Sequence, residues 1–119
     1  YLTVDEIESL RDRRLEILDG QAKITHQYLE TLRTRQKQLE AQALRFRPYN
    51  TDEKAGPMPE HLAEDLVRSA NEIRAQERNL GQKQQEALRL KDQFARDIAR
   101  FRELKKIEAE YARDAQPRS

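Results

Sequence analysis

The chain has 119 residues, of which 38% are charged and 36% are hydrophobic, and it contains neither tryptophan nor cysteine. Typical soluble domains are about 25% charged and ~45–50% apolar, so this composition excludes a thick globular core. The lack of cysteine excludes disulfide bonds and thiol chemistry. The 23 basic and 22 acidic residues give a net charge of +1 and alternate along the chain, which argues against a nucleic-acid-binding protein, because such proteins usually carry a strong basic excess.

The first predicted element is a long helix, helix 1, over residues 4–46. Thr3 is a good N-cap, and Glu6 stands three residues later, as a capping box requires. Leu2 and Ile7 occupy the two positions of a hydrophobic staple around the same cap. These local signals together predict the start of the helix.

The apolar residues of helix 1 recur every eleven positions, as at Ile7, Leu18 and Leu29. Eleven residues correspond to about 3.67 per turn, so we expect a nearly straight apolar stripe with little left-handed supercoil, and we expect Tyr28 to pack in it. Gly20 follows an aspartate in a common turn signal, and a break there would produce a three-helix bundle. The eleven-residue spacing continues across Gly20, which favours one continuous helix.

Residues 47–58 form the predicted loop, and with the three residues that follow they contain three of the four prolines. We expect this segment to reverse the chain. Tyr49 and Met58 are the candidate partner-contact residues at this tip of the hairpin. In the alternative interpretation, they fold over Phe46 and Leu62 and only close the end of the structure.

The second predicted helix, helix 2, spans residues 59–113 and is followed by a frayed tail at 114–119. Pro59 is suited to the first helical position, because its missing N–H group has no helical partner there in any case. Apolar residues then recur every seven positions from Leu66 to Phe101. This is the spacing of a helix with one apolar seam.

We therefore predict an all-α fold, a long antiparallel two-helix hairpin that resembles a coiled coil, in one domain over residues 1–119. In such a pairing, facing residues have numbers that add to about 107. Because a two-helix hairpin buries little surface, we expect self-association into a four-helix bundle or docking on another domain. The candidate packing or dimer seam is Ile7, Leu18, Leu29, Leu66, Ile73, Leu80, Phe94 and Phe101.

Catalysis is not expected, because a two-helix hairpin has no interior in which to converge reactive groups. We predict no catalytic, cofactor-binding or metal-binding residues and no small-molecule substrate. His26 and His61 lie far apart in the predicted pairing, and we expect both to be exposed. No apolar run approaches the ~18 residues that span a membrane, so we expect no membrane span in this chain.

The segments at residues 1–33 and 93–105 resemble the helical region of the DUF4124 family, bacterial exported proteins with a domain of unknown function. The matching elements are "RD" at 11–12, "LDG" at 18–20, Thr25 and "ARFRELK" at 99–105. The resemblance implies a periplasmic or envelope location and an upstream N-terminal domain with a signal peptide. It implies no activity and assigns no catalytic residues.

The resulting functional expectation is a non-catalytic interaction or spacer module of an exported bacterial protein. A protein partner or self-association is expected, through the helix faces and the end of the hairpin. The chain begins with Tyr1, so we expect it to be a fragment of a longer protein. The alternatives are a cytoplasmic coiled-coil adaptor or holdase-like chaperone and, third, weak nucleic-acid binding by arginine-rich helix faces.

Overall fold

The protein is an all-α helical hairpin of two helices, as the sequence predicts. The computed structural model describes residues 3–115 and contains α1, Val4–Ala43, and α2, Glu60–Asp114. Within that range there is no strand, and an isolated bridge joins Arg47 to Pro57. The staple residue Leu2 and the end of the tail at 116–119 lie outside the described residues.

The start of α1 has the predicted capping geometry. The Thr3 hydroxyl accepts a hydrogen bond from the backbone N–H of Glu6 at 3.1 Å, and the Thr3 carbonyl accepts one from the N–H of Ile7 at 3.3 Å. The cap therefore gives partners to N–H groups that a helix start otherwise leaves unpaired.

Gly20 lies inside α1, which is continuous from Val4 to Ala43, so the three-helix alternative is wrong. A Cβ atom added at Gly20 would meet no other atom within 4 Å. The glycine is therefore not required by close packing. A glycine in a helix interior costs roughly 1 kcal/mol of stability. This cost is small compared with the free energy gained by burying side chains along the rest of the seam.

The end of α1 lies at Ala43, three residues earlier than the sequence predicts. The N–H groups of Arg45 and Phe46 bond to carbonyls three residues back, at 3.2 and 3.1 Å, which tightens the last turn. The chain then enters the Arg47–Pro48 bond, and a residue before proline is disfavoured in the α conformation. α2 begins directly after Pro59 and ends at Asp114, one residue beyond the predicted boundary.

The structure divides into two compact units. The terminal unit, residues 3–20 and 84–115 of the described range, has a core of Ile7, Phe94 and Ile98. Further apolar side chains pack against that core, namely Val4, Leu10, Leu90 and Phe101. Every residue of this unit after Phe101 is exposed, which is the overhang of α2 that the pairing rule implies.

The loop unit, Gln21–Lys83, has buried side chains on both helices and in the loop between them. Its buried residues are Thr25, Leu29, Leu32, Leu39, Ala43, Ala55, Leu62 and Ser69. Two of these are polar and lie among leucines. The hydroxyl oxygen of Ser69 is buried and has no hydrogen-bond partner among the described residues.

The antiparallel register within each unit agrees with the predicted one. In the loop unit Thr25 bonds to Asn79, Arg33 to Glu77 and Lys83 to Gln21, each at 3.4 Å. In the terminal unit Glu8 pairs with Arg102 at 4.0 Å, and the Arg14 guanidinium lies 5.6 Å from the centre of the Phe94 ring. The residue numbers of these pairs add to between about 104 and 110, so the predicted value of about 107 is confirmed.

The predicted seam residues are buried or half-buried. Ile7, Leu29 and Phe94 are buried, and the half-buried members are Leu18, Leu66, Ile73, Leu80 and Phe101. The expectation that Tyr28 packs in the apolar stripe is wrong, because Tyr28 is 46% exposed. It adjoins Leu29, and a single partner helix covers only one side of the stripe to which both belong.

Candidate functional site at the hairpin tip

The tip loop, residues 44–59, is organised around the side chain of Arg47. Its Nε donates a hydrogen bond to the carbonyl of Ala55 at 2.7 Å, and its Nη2 donates to the carbonyl of Glu53 at 3.4 Å. The backbone N–H of Arg47 also donates to the carbonyl of Gly56 at 2.9 Å. A single residue thus holds the two ends of the loop together, and Ala55 becomes buried beneath them.

Two side chains form local turns at the centre of the tip loop. The Asn50 side-chain oxygen accepts from the N–H of Asp52 at 2.9 Å, and a carboxylate oxygen of Asp52 accepts from the N–H of Lys54 at 3.1 Å. The N–H of Asn50 donates to the carbonyl of Phe46 at 2.8 Å. Asn and Asp favour turns because they bond to their own backbone two residues on, so the tip loop has a defined conformation.

The two predicted contact residues differ in exposure. Tyr49 is 61% exposed, whereas Met58 is half-buried. Tyr49 therefore leaves most of its surface open to solvent, whereas Met58 is partly covered. Sequence reasoning did not identify the structural roles of Arg47 and Ala55, because an arginine that bonds to loop carbonyls has no signature in the pattern of residues.

Tyr49 is one of the residues that line a small open hollow, the tip depression. It has a volume of about 210 Å³ and is lined by Glu40, Ala43, Leu44, Tyr49 and Leu66. Four of these five residues contribute apolar surface, and Leu44 is itself largely exposed. The depression therefore combines an apolar floor with a single carboxylate.

Two features of the tip depression carry negative charge. Glu40 lies in the last turn of α1, and that turn contains no basic residue. The C-terminal end of a helix carries the equivalent of about half a negative charge. The carboxylate and the helix end therefore act with the same sign at this site.

A second hollow of about 400 Å³ on α1 is more open and is lined by Thr31, Thr34, Arg35 and Gln38. The hydroxyl of Thr31 donates to the carbonyl of Gln27 at 3.2 Å, and that of Thr34 to the carbonyl of Glu30 at 3.0 Å. Both hydroxyls therefore donate to backbone carbonyls of their own helix.

The arginine-rich helix faces carry ion pairs between exposed side chains. Arg33 lies 3.0 Å from Glu30 on its own helix and 3.4 Å from Glu77 on the other. Arg11 bonds to Asp12 at 2.9 Å, and that hydrogen bond raises the pKa of the Arg11 guanidinium. Exposed pairs of this kind contribute about 0–1 kcal/mol each, and they leave less basic charge free for a polyanion.

Both histidines, His26 and His61, are exposed. Across the described residues, no group of three His, Cys, Asp or Glu side chains is placed to hold a metal ion. Over the same range, neither helix is long and apolar enough to cross a membrane.

No protein-family model matches the chain, and no curated protein or solved structure matches it. The resemblance to the DUF4124 family therefore stays a hypothesis.

Proposed function

We propose that the protein is a non-catalytic interaction module whose contact surface is the tip of the helical hairpin. The observation that carries this proposal is the conformation of the tip loop, in which Arg47 and Asn50 hold the backbone while the ring of Tyr49 stays exposed. An exposed aromatic side chain on a fixed backbone loses little entropy when a partner covers it. Aromatic residues are accordingly enriched where proteins bind one another.

The shape of the hollows supports binding rather than catalysis. A reaction needs a nucleophile or acid and base that converge on one substrate position. The tip depression offers a carboxylate and a tyrosine ring around apolar side chains, and the threonines of the second hollow bond to their own helix. A helical module that carries such a tip suits a spacer or adaptor role.

The proposal is tested by introducing a photo-crosslinking amino acid at one position at a time in the protein, in the cells that make it. The positions are Tyr49 at the tip, Ile24 on α1 and Leu88 on α2, all of which are exposed. We expect a discrete protein adduct from position 49. Adducts from positions 24 or 88 alone, or from none of the three, would overturn the tip as the contact surface.

We also propose that the loop unit self-associates through α1. Ile24 and Tyr28 lie one helical turn apart and are both exposed, which leaves an uncovered apolar strip beside the seam. Sedimentation equilibrium across a range of concentrations tests this, with Ile24→Lys as the disrupting variant and Lys23→Gln as a neighbouring control. A monomer at every concentration would contradict it.

The envelope location is a proposal that rests on the resemblance at residues 1–33 and 93–105. Fusion of the complete gene that encodes this chain to alkaline phosphatase, which is active only after export, measures it directly. An inactive fusion would favour the cytoplasmic adaptor or holdase-like alternative.

A further inference from the structure

We propose that the tip depression binds a partner segment in which an apolar side chain stands within one turn of a lysine or arginine. This inference rests on the function proposed above and names the chemistry of the partner. It is carried by three features of the depression: its size, its lining and the sign of its charge.

Size and lining select a single apolar side chain. The volume of about 210 Å³ is below the roughly 300–1,000 Å³ of sites that enclose small molecules. Three aliphatic residues, Ala43, Leu44 and Leu66, line the depression together with Tyr49. A leucine, isoleucine, methionine or phenylalanine side chain would cover this surface and also contact the exposed part of Leu44.

The negative charge of Glu40 favours a cation of the partner beside its apolar side chain. Glu40 lines the depression at the end of α1, and no described residue forms an ion pair with it. The negative end of the helix dipole adds to its charge. A basic group of the partner at this position would neutralise both.

Neither arginine of the tip loop lines the depression. Arg47 directs its guanidinium to the carbonyls of Glu53 and Ala55, and Arg45 is not among the residues that line the depression. Residues 40–66 contain six acidic and three basic residues. This acidic excess attracts a basic segment and repels nucleic acid.

The test uses a phage-displayed library of short random peptides, selected on the full chain and counter-selected on the Tyr49→Ala variant. The peptides that survive are synthesised, and their Kd values are measured by fluorescence anisotropy. We expect them to contain an apolar residue close to lysine or arginine. Tyr49→Ala should weaken binding at least about tenfold, as for an aromatic anchor.

Substitutions at Glu40 test the charge. Glu40→Gln should raise Kd about two- to fivefold, the effect of one exposed ion pair, and the loss should shrink as salt is added. Glu40→Lys should bind better to a peptide in which glutamate replaces the basic residue. Glu16→Gln and Tyr111→Ala change exposed residues far along the chain from the tip and serve as controls with unchanged Kd.

The outcomes separate this inference from the function on which it rests. One outcome is a set of peptides that need Tyr49, have no basic residue, and bind the Glu40→Gln variant with the same Kd as the original chain. It would overturn the preference for a basic residue and leave the tip as a contact surface. Peptides whose binding is insensitive to Tyr49→Ala would overturn both. Failure to enrich any peptide that depends on Tyr49 would also overturn both.

Discussion

The guanidinium of Arg47 bonds to the carbonyl oxygen of Ala55 at 2.7 Å, across eight residues of the tip loop. The backbone N–H of Arg47 also donates a hydrogen bond to the carbonyl of Gly56 at 2.9 Å. Arg47 therefore fixes the second half of the tip loop against the residues that precede Tyr49.

Replacing Arg47 with alanine should open the tip loop and leave both helices intact. Hydrogen bonds to charged groups contribute about 1.5–3 kcal/mol to stability. Because the bond from Arg47 to Ala55 is partly exposed, we expect a loss at the lower end of that range. Hydrogen exchange should show faster exchange of the Ala55 and Asn50 amides. Arg45→Ala, which removes a neighbouring guanidinium without these bonds, is the matched control, and equal effects of the two variants would contradict the assignment.

Replacing Phe94 with alanine should cost about 3–5 kcal/mol of stability, the usual range for a buried phenylalanine. Phe94 is 2% exposed and packs with Ile7 and Ile98, and Arg14 lies over its ring. Urea denaturation followed by circular dichroism measures the loss. Leu88→Ala, at a position 65% exposed on the same helix, should change stability by less than about 0.5 kcal/mol.

Replacing Gly20 with alanine should stabilise the protein by about 1 kcal/mol, the difference between the two residues in a helix interior. The added methyl group meets no atom within 4 Å, so no packing cost opposes the gain. Thermal denaturation measures the change. Gly20→Pro should instead destabilise by ~3 kcal/mol or more, and a proline that is tolerated there would mean that α1 is not continuous.

Replacing Ser69 with alanine should also raise stability. Its hydroxyl is buried, at 5% exposure for the residue, without a hydrogen-bond partner among the described residues, and a buried unpaired polar group costs about 1–3 kcal/mol. Ser9→Ala on the exposed surface of α1 controls for the higher helix propensity of alanine. A smaller gain at position 69 than at position 9 would show that the Ser69 hydroxyl is paired in solution.

Replacing Glu40 with glutamine should raise stability by about 0.3–1 kcal/mol at low ionic strength, because a carboxylate at a helix C-terminus opposes the dipole. The gain should fall as salt is added. Glu16→Gln, in the interior of the same helix, should show no comparable gain. A variant that is more stable and yet binds basic peptides less well would show that the carboxylate is placed for binding.

Local and periodic features of the fold could be predicted because they depend on neighbours in the sequence. The cap at Thr3 needs only the N–H of Glu6, and the start of α2 follows from Pro59. The register followed from the position of the chain reversal, because helices that pair antiparallel around a loop at 47–58 face each other with residue numbers that add to about 107. The pair Thr25 and Asn79 illustrates this alignment.

Other features were decided by contacts between residues that are distant in the sequence. The stripe on α1 is wide enough to include both Tyr28 and Leu29, and only the position of the partner helix determines that Leu29 is buried while Tyr28 is exposed.

The sequence by itself determined an all-α hairpin, its register and the place where the chain reverses, because helix caps, prolines and apolar periodicity act over one or a few turns. Only the tertiary structure decided what the reversal looks like. Arg47 reaches Ala55 and Gly56, and Tyr49 comes to line a depression with Glu40 and Leu66. These contacts join residues from both helices and the loop, and no local pattern encodes a contact that forms only after the chain has folded back.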